Sequence, residues 1–281
     1  MDYGKTALPI FAHKNKRVDK YERFPISIAR MIAHGHSNVN YAHFVLDMYP
    51  SDANFTITSI MKLLCQLEGQ PVCSSRDIPI SSIGDPLHDA LVVGVEKCSR
   101  ALPLPPPDIV SPTSLPPLLL IQMDNCAKDN KSKYNMLFWS ALTAKGIFRE
   151  VRVSFLIVGH THEDVDAMFG RFGQRLKIEN CHTLPDLMAS FMAAGVSTIV
   201  PSLIHEVVDF KEWMKGYYHE VGADRLIEHS KAHQFRFYVD PQGVPLMQYQ
   251  VFCTDPSWSP EGGIALWIVD PVTKKTMFLP C

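Results

Sequence analysis

Ser154-Phe155-Leu156-Ile157-Val158-Gly159-His160-Thr161-His162-Glu163-Asp164-Val165-Asp166-Ala167-Met168-Phe169 is the stretch that decides the fold. An apolar, β-branched run breaks at a glycine, and two histidines and three carboxylates then crowd into seven residues. Val165, Met168, Phe169, Phe172 and Leu176 follow at the spacing that places them on one helix face. The pattern predicts a buried strand, a tight turn, and a helix whose first turn carries acid. Polar groups beyond the C-terminal end of a parallel strand are where α/β proteins place their sites. A helix N-terminus accommodates one or two acids through its dipole alone. Five ionisable groups, including His-x-His, exceed that explanation.

The same shape occurs upstream. Leu118-Leu119-Leu120-Ile121-Gln122-Met123 has strand composition, and Asp124-Asn125 follows at once. A polar stretch from Cys126 to Lys133 leads into Tyr134, Leu137, Phe138, Ala141 and Leu142, again at helical spacing, and Lys145-Gly146 supplies the expected stop. The chain thus reads strand, acidic loop, helix twice, with Asp124 and Asp166 at comparable positions. Were the two strands neighbours in one sheet, both carboxylates would leave the same edge, as hard-oxygen ligation of a divalent metal requires.

Working outward, Ile26 to Ala33 and Val39 to Met48 read as a strand hairpin around His34-Gly35-His36, and Thr56 to Leu67 as a helix. Leu184 to Ala194 reads as another helix, opened by Thr183 and Pro185. Met1 to Lys20 is polar and without period. The stretch from about 70 to 117 is an insertion that ends proline-dense, and short strands separated by turns occupy Phe235 onward. The expected organisation is therefore a core over residues 1–200 and a linker with a small β-rich appendage over 201–281.

Composition narrows the function classes. The chain has 281 residues, 46% of them hydrophobic, which suffices for a full core. No apolar run reaches the length of a membrane span and no signal peptide opens the chain. Seven scattered cysteines without a Cys-x-x-Cys pair fit reduced thiols inside a cell. A formal net charge of −2 argues against a dedicated nucleic-acid-binding module. Local basic groups remain: Lys128, Lys131 and Lys133 beside Asp124, and Arg171 and Arg175 after Asp166.

The element order, hairpin, helix, insertion, strand with Asp124, helix, strand, helix with Asp166, resembles the ribonuclease-H-like core of transposases and retroviral integrases. Glu163-Asp164-Val165-Asp166-Ala167-Met168-Phe169 is similar to the acid-bearing turn into the last core helix of the Tc1/mariner group, in which the third acid precedes an aromatic by three residues. More specifically, Gln122–Cys126 and Val158–Asp166 look like the Gln-x-Asp-Asn-Cys and Val-Gly-His-Thr-His-Glu-Asp-x-Asp elements of a eukaryotic family of transposon-derived proteins. That likeness runs from about Asp2 to Lys177.

The resemblance implies an α/β fold with a ribonuclease-H-like mixed sheet and flanking helices. It implies Asp2, Asp124 and Asp166 as ligands of two Mg2+ or Mn2+ ions, with Zn2+ less expected. Glu163 would assist, Asn125, His160 and His162 would orient water, and Lys128, Lys131, Lys133, Arg171 and Arg175 would meet DNA. It also implies phosphodiester cleavage or strand transfer, and a nuclear location. Asp2 has no strand before it, so the first strand and the DNA-recognising region upstream are expected to be missing. Weak or absent activity, weak binding of DNA, and at most a second copy of the chain as a further partner follow; no membrane partner is expected.

Two other classes compete. Gly159-His160-Thr161-His162 is also the Gly-His-x-His ending of calcineurin-like metallophosphatases, but no Asp-x-His precedes Gly159 and no Gly-Asn-His occurs. His160, His162 and Asp164 also start a zinc-hydrolase motif whose closing histidine is Val165 here. A catalytically dead interaction protein that keeps the fold is the third reading.

Overall fold

The computed structural model describes residues 2–11, 23–35, 39–46, 49–68, 115–124, 130–156, 164–195, 198–219 and 231–268. In chain order its elements are β1 (Asp2–Leu8), β2 (Phe24–Ala33), β3 (Val39–Leu46), α1 (Ala53–Leu67), β4 (Leu118–Met123), α2 (Lys133–Ala144), β5 (Glu150–Phe155), α3 (Asp164–Arg175), α4 (Leu184–Ala194), β6 (Ile199–Leu203), α5 (Phe210–Met214), β7 (Gln234–Val239), β8 (Pro245–Gln250) and β9 (Ser259–Ala265). They form a mixed α/β protein with two sheets, ordered β1-β2-β3-β6 and β4-β5-β7-β8-β9. Two compact units are distinguished: residues 1–72, 122–135 and 156–215, and residues 73–121, 136–155 and 216–281.

In the first unit, β1, β2 and β3 are antiparallel neighbours and β6 joins β3 in parallel. Successive strand residues point to opposite faces, which sorts the side chains. Ile26, Ile28, Ala42 and Phe44 enter one core with Met168 and Phe172 of α3 and Leu187, Phe191 and Ala194 of α4. Phe191 is its centre, with ring centroids 4.8 Å from Phe172, 5.7 Å from Phe44 and 5.8 Å from Phe169. On the other face His43 reaches Gln66 of α1. The helix starts follow from their caps. Asp52 accepts from the Asn54 and Phe55 N–H groups, and Thr183 forms a reciprocal capping box with Asp186.

Gly4 shows why β1 and α3 can meet so closely. A Cβ there would lie 2.5 Å from Cε1 of Phe169. Gly4→Ala should therefore lower stability by about 1–3 kcal/mol, the usual cost of overpacking, read as a lower urea midpoint. Phe169→Leu in the same chain should recover part of the loss through coupling of touching residues. A neutral Gly4→Ala would mean that α3 does not rest on β1.

In the second sheet, the Arg149 and Glu150 N–H groups donate to the Pro117 carbonyl at one end, and Leu156 N–H donates to the Met123 carbonyl at the other. β4 and β5 are therefore parallel neighbours. β7, β8 and β9 continue the sheet in antiparallel fashion from β5. Val151, Val153, Phe155, Phe235, Phe237 and Met247 are buried. The intervening Glu150, Arg152, Ser154 and Arg236 line the other face and are half-buried. Between the parallel strands, α2 is buried on every side from Asn135 to Thr143, wider than the apolar stripe read from its sequence.

Several expectations are corrected. A strand does occupy Asp2–Leu8, because all seven residues pair with β2 despite their polar composition. The strand expected at Ser154–Val158 lies at Glu150–Phe155, where polar and apolar residues alternate. The tail expected as an appendage is hydrogen-bonded into the β4–β5 sheet through β7. One mixed sheet was expected, and the strands fall into two. β6 and α5 carry too little periodicity to stand out in the sequence. Of the insertion expected over about 70–117, residues 70–114 lie outside the described residues. No helix among the described residues is long and apolar enough to cross a membrane.

Candidate functional site

The three candidate acids fall on three elements: Asp2 opens β1, Asp124 directly follows β4, and Asp166 is in the first turn of α3. The direction of α3 is fixed at two points. Phe169 lies over Gly4, and Cys181, six residues beyond the end of the helix, forms a two-bond bridge with Ile10, two residues beyond β1. Helix and strand therefore run in the same sense, and the N-terminal turn of α3 belongs to the Asp2 end of β1. Asp166 is exposed there.

Register sets Arg30 directly across from Asp2. Arg30 occupies the same face as Ile28 and Ile26, the face covered by α3 and α4. It is 3% exposed and donates from Nη2 to Oδ1 of Asn40, itself 3% exposed. A guanidinium stays charged at any pH the protein meets. A fixed positive charge is thus buried at the end of the sheet where two candidate acids lie.

Asp124 is held through its backbone. The Asn130 side chain donates to the Asp124 carbonyl at 3.0 Å, and the Asn135 side chain donates to the Asn130 carbonyl at 3.1 Å. Both asparagines are buried. The two bonds tie the strand exit to the start of α2, so the Asp124 carboxylate leaves a braced backbone. Between them lies Lys131, fully buried, with its pKa pushed down to about 8 by desolvation.

Lys131 was expected to meet DNA. Its burial corrects that, because a lysine without exposed surface cannot track a phosphate backbone. Lys133 does lie near the surface, 5.3 Å from the Tyr134 ring centroid, and Lys211 of α5 approaches the same ring at 6.0 Å. Arg171 is exposed and donates to the Ala194 carbonyl. Arg175 is paired with Glu179. Asn125, Lys128, His160, His162 and Glu163 lie outside the described residues. His34 is exposed, whereas His43 is fully buried.

Among the described residues no three His, Cys, Asp or Glu side chains stand close enough together to hold a metal ion. The side chain of Asp2 is not among those described. Asp2, Asp124 and Asp166 offer only hard carboxylate oxygen, which suits Mg2+ or Mn2+ rather than softer ions. Magnesium also binds through one or two carboxylates with water and phosphate as its other ligands. The donor chemistry therefore fits such an ion.

Sequence reasoning missed Arg30, Asn130, Asn135 and Lys211. Arg30 had one available signal, a single cation within an apolar strand. The asparagines could be recognised only from the loop they brace.

Fold and candidate site together define a mixed α/β protein with acids at strand ends and on a following helix. Residues 108–255 match the family described as a domain of unknown function (DUF7869), and the chain belongs to that family. Asp124 and Asp166 fall inside the matched span, while Asp2 and Arg30 precede it. Comparison with curated proteins and with solved structures finds no match.

Proposed function

We propose that this chain is a transposon-derived domain of ribonuclease-H-like type, built for metal-dependent cleavage or strand transfer at DNA phosphodiesters and weakly active by itself. The observation that carries the reading is the common direction of β1 and α3, which assigns Asp166 to the Asp2 end of the sheet. The order strand, strand, strand, helix, strand, helix, strand, helix supports it, as does the parallel β4–β5 pair with Asp124 at its exit.

Asp2, Asp124 and Asp166 would hold Mg2+ or Mn2+. Such an ion, when bound, supplies charge to polarise the phosphate and lowers the pKa of the attacking water. The chain's own part is positional. The Asn130 and Asn135 bonds fix the backbone from which Asp124 departs, and α3 presents Asp166 from a helix seated on a packed core. His160, His162 and Glu163, next to α3 in sequence, would orient water or assist proton transfer. Lys133, Arg171 and Lys211 would contact phosphates weakly, because the net charge of −2 gives the chain no long-range pull on DNA.

Nicking of supercoiled DNA in the presence of Mn2+ tests this reading. Slow, metal-dependent nicking is expected from the unaltered chain, with a loss of roughly a hundredfold or more in Asp124→Asn and Asp166→Asn. Binding to DNA should be weak and fall steeply with added salt. Cleavage indifferent to both substitutions would overturn the assignment.

A further inference from the structure

We infer that the loop between β8 and β9 is a docking tip whose partner is a protein with a small apolar pocket rimmed by lysine or arginine. The loop belongs to the second sheet and shares no residue with the candidate metal site. Val251 and Phe252 open it, 38% and 48% exposed, and Cys253 beside them is exposed too. An exposed valine and phenylalanine side by side stay hydrated at a free-energy cost that burial in a partner removes.

Rigidity sets this pair apart from scattered exposed apolar residues. Gln250, itself buried, donates from Nε2 to the carbonyls of Asp255 and Ser257 at 3.0 and 3.2 Å. Oδ2 of Asp255 accepts from the Val251 and Phe252 N–H groups at 3.0 and 2.9 Å. The Asp255 N–H donates back to the Phe252 carbonyl at 3.1 Å. The Phe252 ring stacks on His233, with centroids 6.0 Å apart and planes 12° from parallel. His233 is fixed in turn: its backbone N–H donates to the Gln250 and Val251 carbonyls, and Nδ1 lies 3.1 Å from the Phe155 carbonyl. The tip is therefore ordered before a partner arrives, which removes the ordering entropy that a mobile loop loses on binding.

Charge and size choose the occupant. From Val251 to Glu261 there are two acids, Asp255 and Glu261, and no lysine, arginine or histidine. Lys231 lies two residues before His233 at the base of the loop, and counting it still leaves the formal charge at −1. An acidic rim repels nucleic acid and anionic lipid and complements a basic one. Two side chains also fall short of anchoring a chain to a membrane, where even one long acyl chain binds only marginally. Nor do they supply the roughly 1,200–2,000 Å² that a stable pair of copies buries. A pocket that takes Phe252 as its central anchor, with Val251 at the edge, matches what two rigid apolar groups offer.

The test selects ligands from a phage-displayed library of random peptides, with the full chain as bait, and measures the enriched peptides by fluorescence anisotropy. They should combine apolar residues with lysine or arginine, and their binding should weaken as salt is added. Phe252→Ser should weaken it roughly tenfold or more, as loss of a central anchor does. Asp255→Ala, which frees the tip and removes a charge, should weaken it as well. Circular dichroism and a thermal melt verify that each variant is folded, and should Asp255→Ala melt early, Phe252→Ser alone decides. Peptides that bind Phe252→Ser as tightly as the parent, an acidic consensus, or no enrichment at all would overturn the inference. Two further results would overturn it by naming another occupant. One is co-sedimentation of the parent, but not Phe252→Ser, with vesicles of phosphatidylcholine and phosphatidylserine. The other is a dimer of the parent that Phe252→Ser dissolves, which would make the occupant a second copy of the chain.

Discussion

Glu150→Ala should cost about 3–5 kcal/mol of folding stability, the range found when one partner of a buried ion cluster is removed. Glu150 accepts from Arg152 Nε with one carboxylate oxygen and from Arg236 Nη2 with the other, the latter at 3.1 Å. The three side chains are only 15%, 11% and 19% exposed, respectively, so water screens them poorly. Arg152 and Arg236 are also register partners across β5 and β7. Like charges directly opposite destabilise a sheet, and the shared carboxylate offsets that repulsion. Replacing all three by apolar residues (Glu150→Leu, Arg152→Met, Arg236→Met) should be neutral or stabilising, because it also removes the cost of burying the charges. Urea unfolding of the single and triple variants checks the pair of expectations. A single variant within about 0.5 kcal/mol of the parent, the usual spread for surface substitutions, would show the cluster to be solvated.

Acid should weaken the protein through His43 before most carboxylates titrate. His43 is fully buried on the α1 side of the sheet, with Nε2 2.9 Å from Gln66 Oε1. Burial lowers its pKa from 6.5 to about 4, with nearby Lys62 adding to the effect and the Gln66 and Ser59 hydrogen bonds opposing it. The unfolded chain protonates this imidazole below 6.5, while the folded chain resists until about 4. Unfolded molecules therefore bind more protons within that window, so stability is greatest above it and falls as pH drops through it. The full difference is about 3 kcal/mol. Between pH 6.5 and 5, where ordinary carboxylates are still ionised, urea midpoints should fall for the parent. They should stay flat for His43→Leu. Parallel profiles would show that His43 is not the group responsible.

The elements that could be read from the sequence are those whose burial pattern is local. α1 and α4 announce themselves by cap and stripe, β2 and β3 by a turn between apolar runs, and β4 by its leucine run before Asp124. β1 could not be read because Asp2-Tyr3-Gly4-Lys5-Thr6-Ala7-Leu8 becomes a strand only against β2. β6 likewise depends on its partner β3. Of the candidate site, the acids were legible as residue types at strand ends. The cation across from Asp2 was not, since only register discloses it. Lys131 shows the converse difficulty: a lysine in a polar run reads as exposed, yet the fold closes over it.

The long-range strand pairings also bear on how the chain is made. Asn40 pairs with Ile199 and Glu150 with Tyr238, separations of about 160 and about 90 residues. Such closures carry a large loop entropy and slow the search for the native state. Synthesis releases β3 and β5 long before β6 and β7, so each waits with one hydrogen-bonding edge bare. A bare strand edge recruits other nascent chains. A fragment ending before residue 234 can still cover the β3 edge with β6, but it leaves the β5 edge bare.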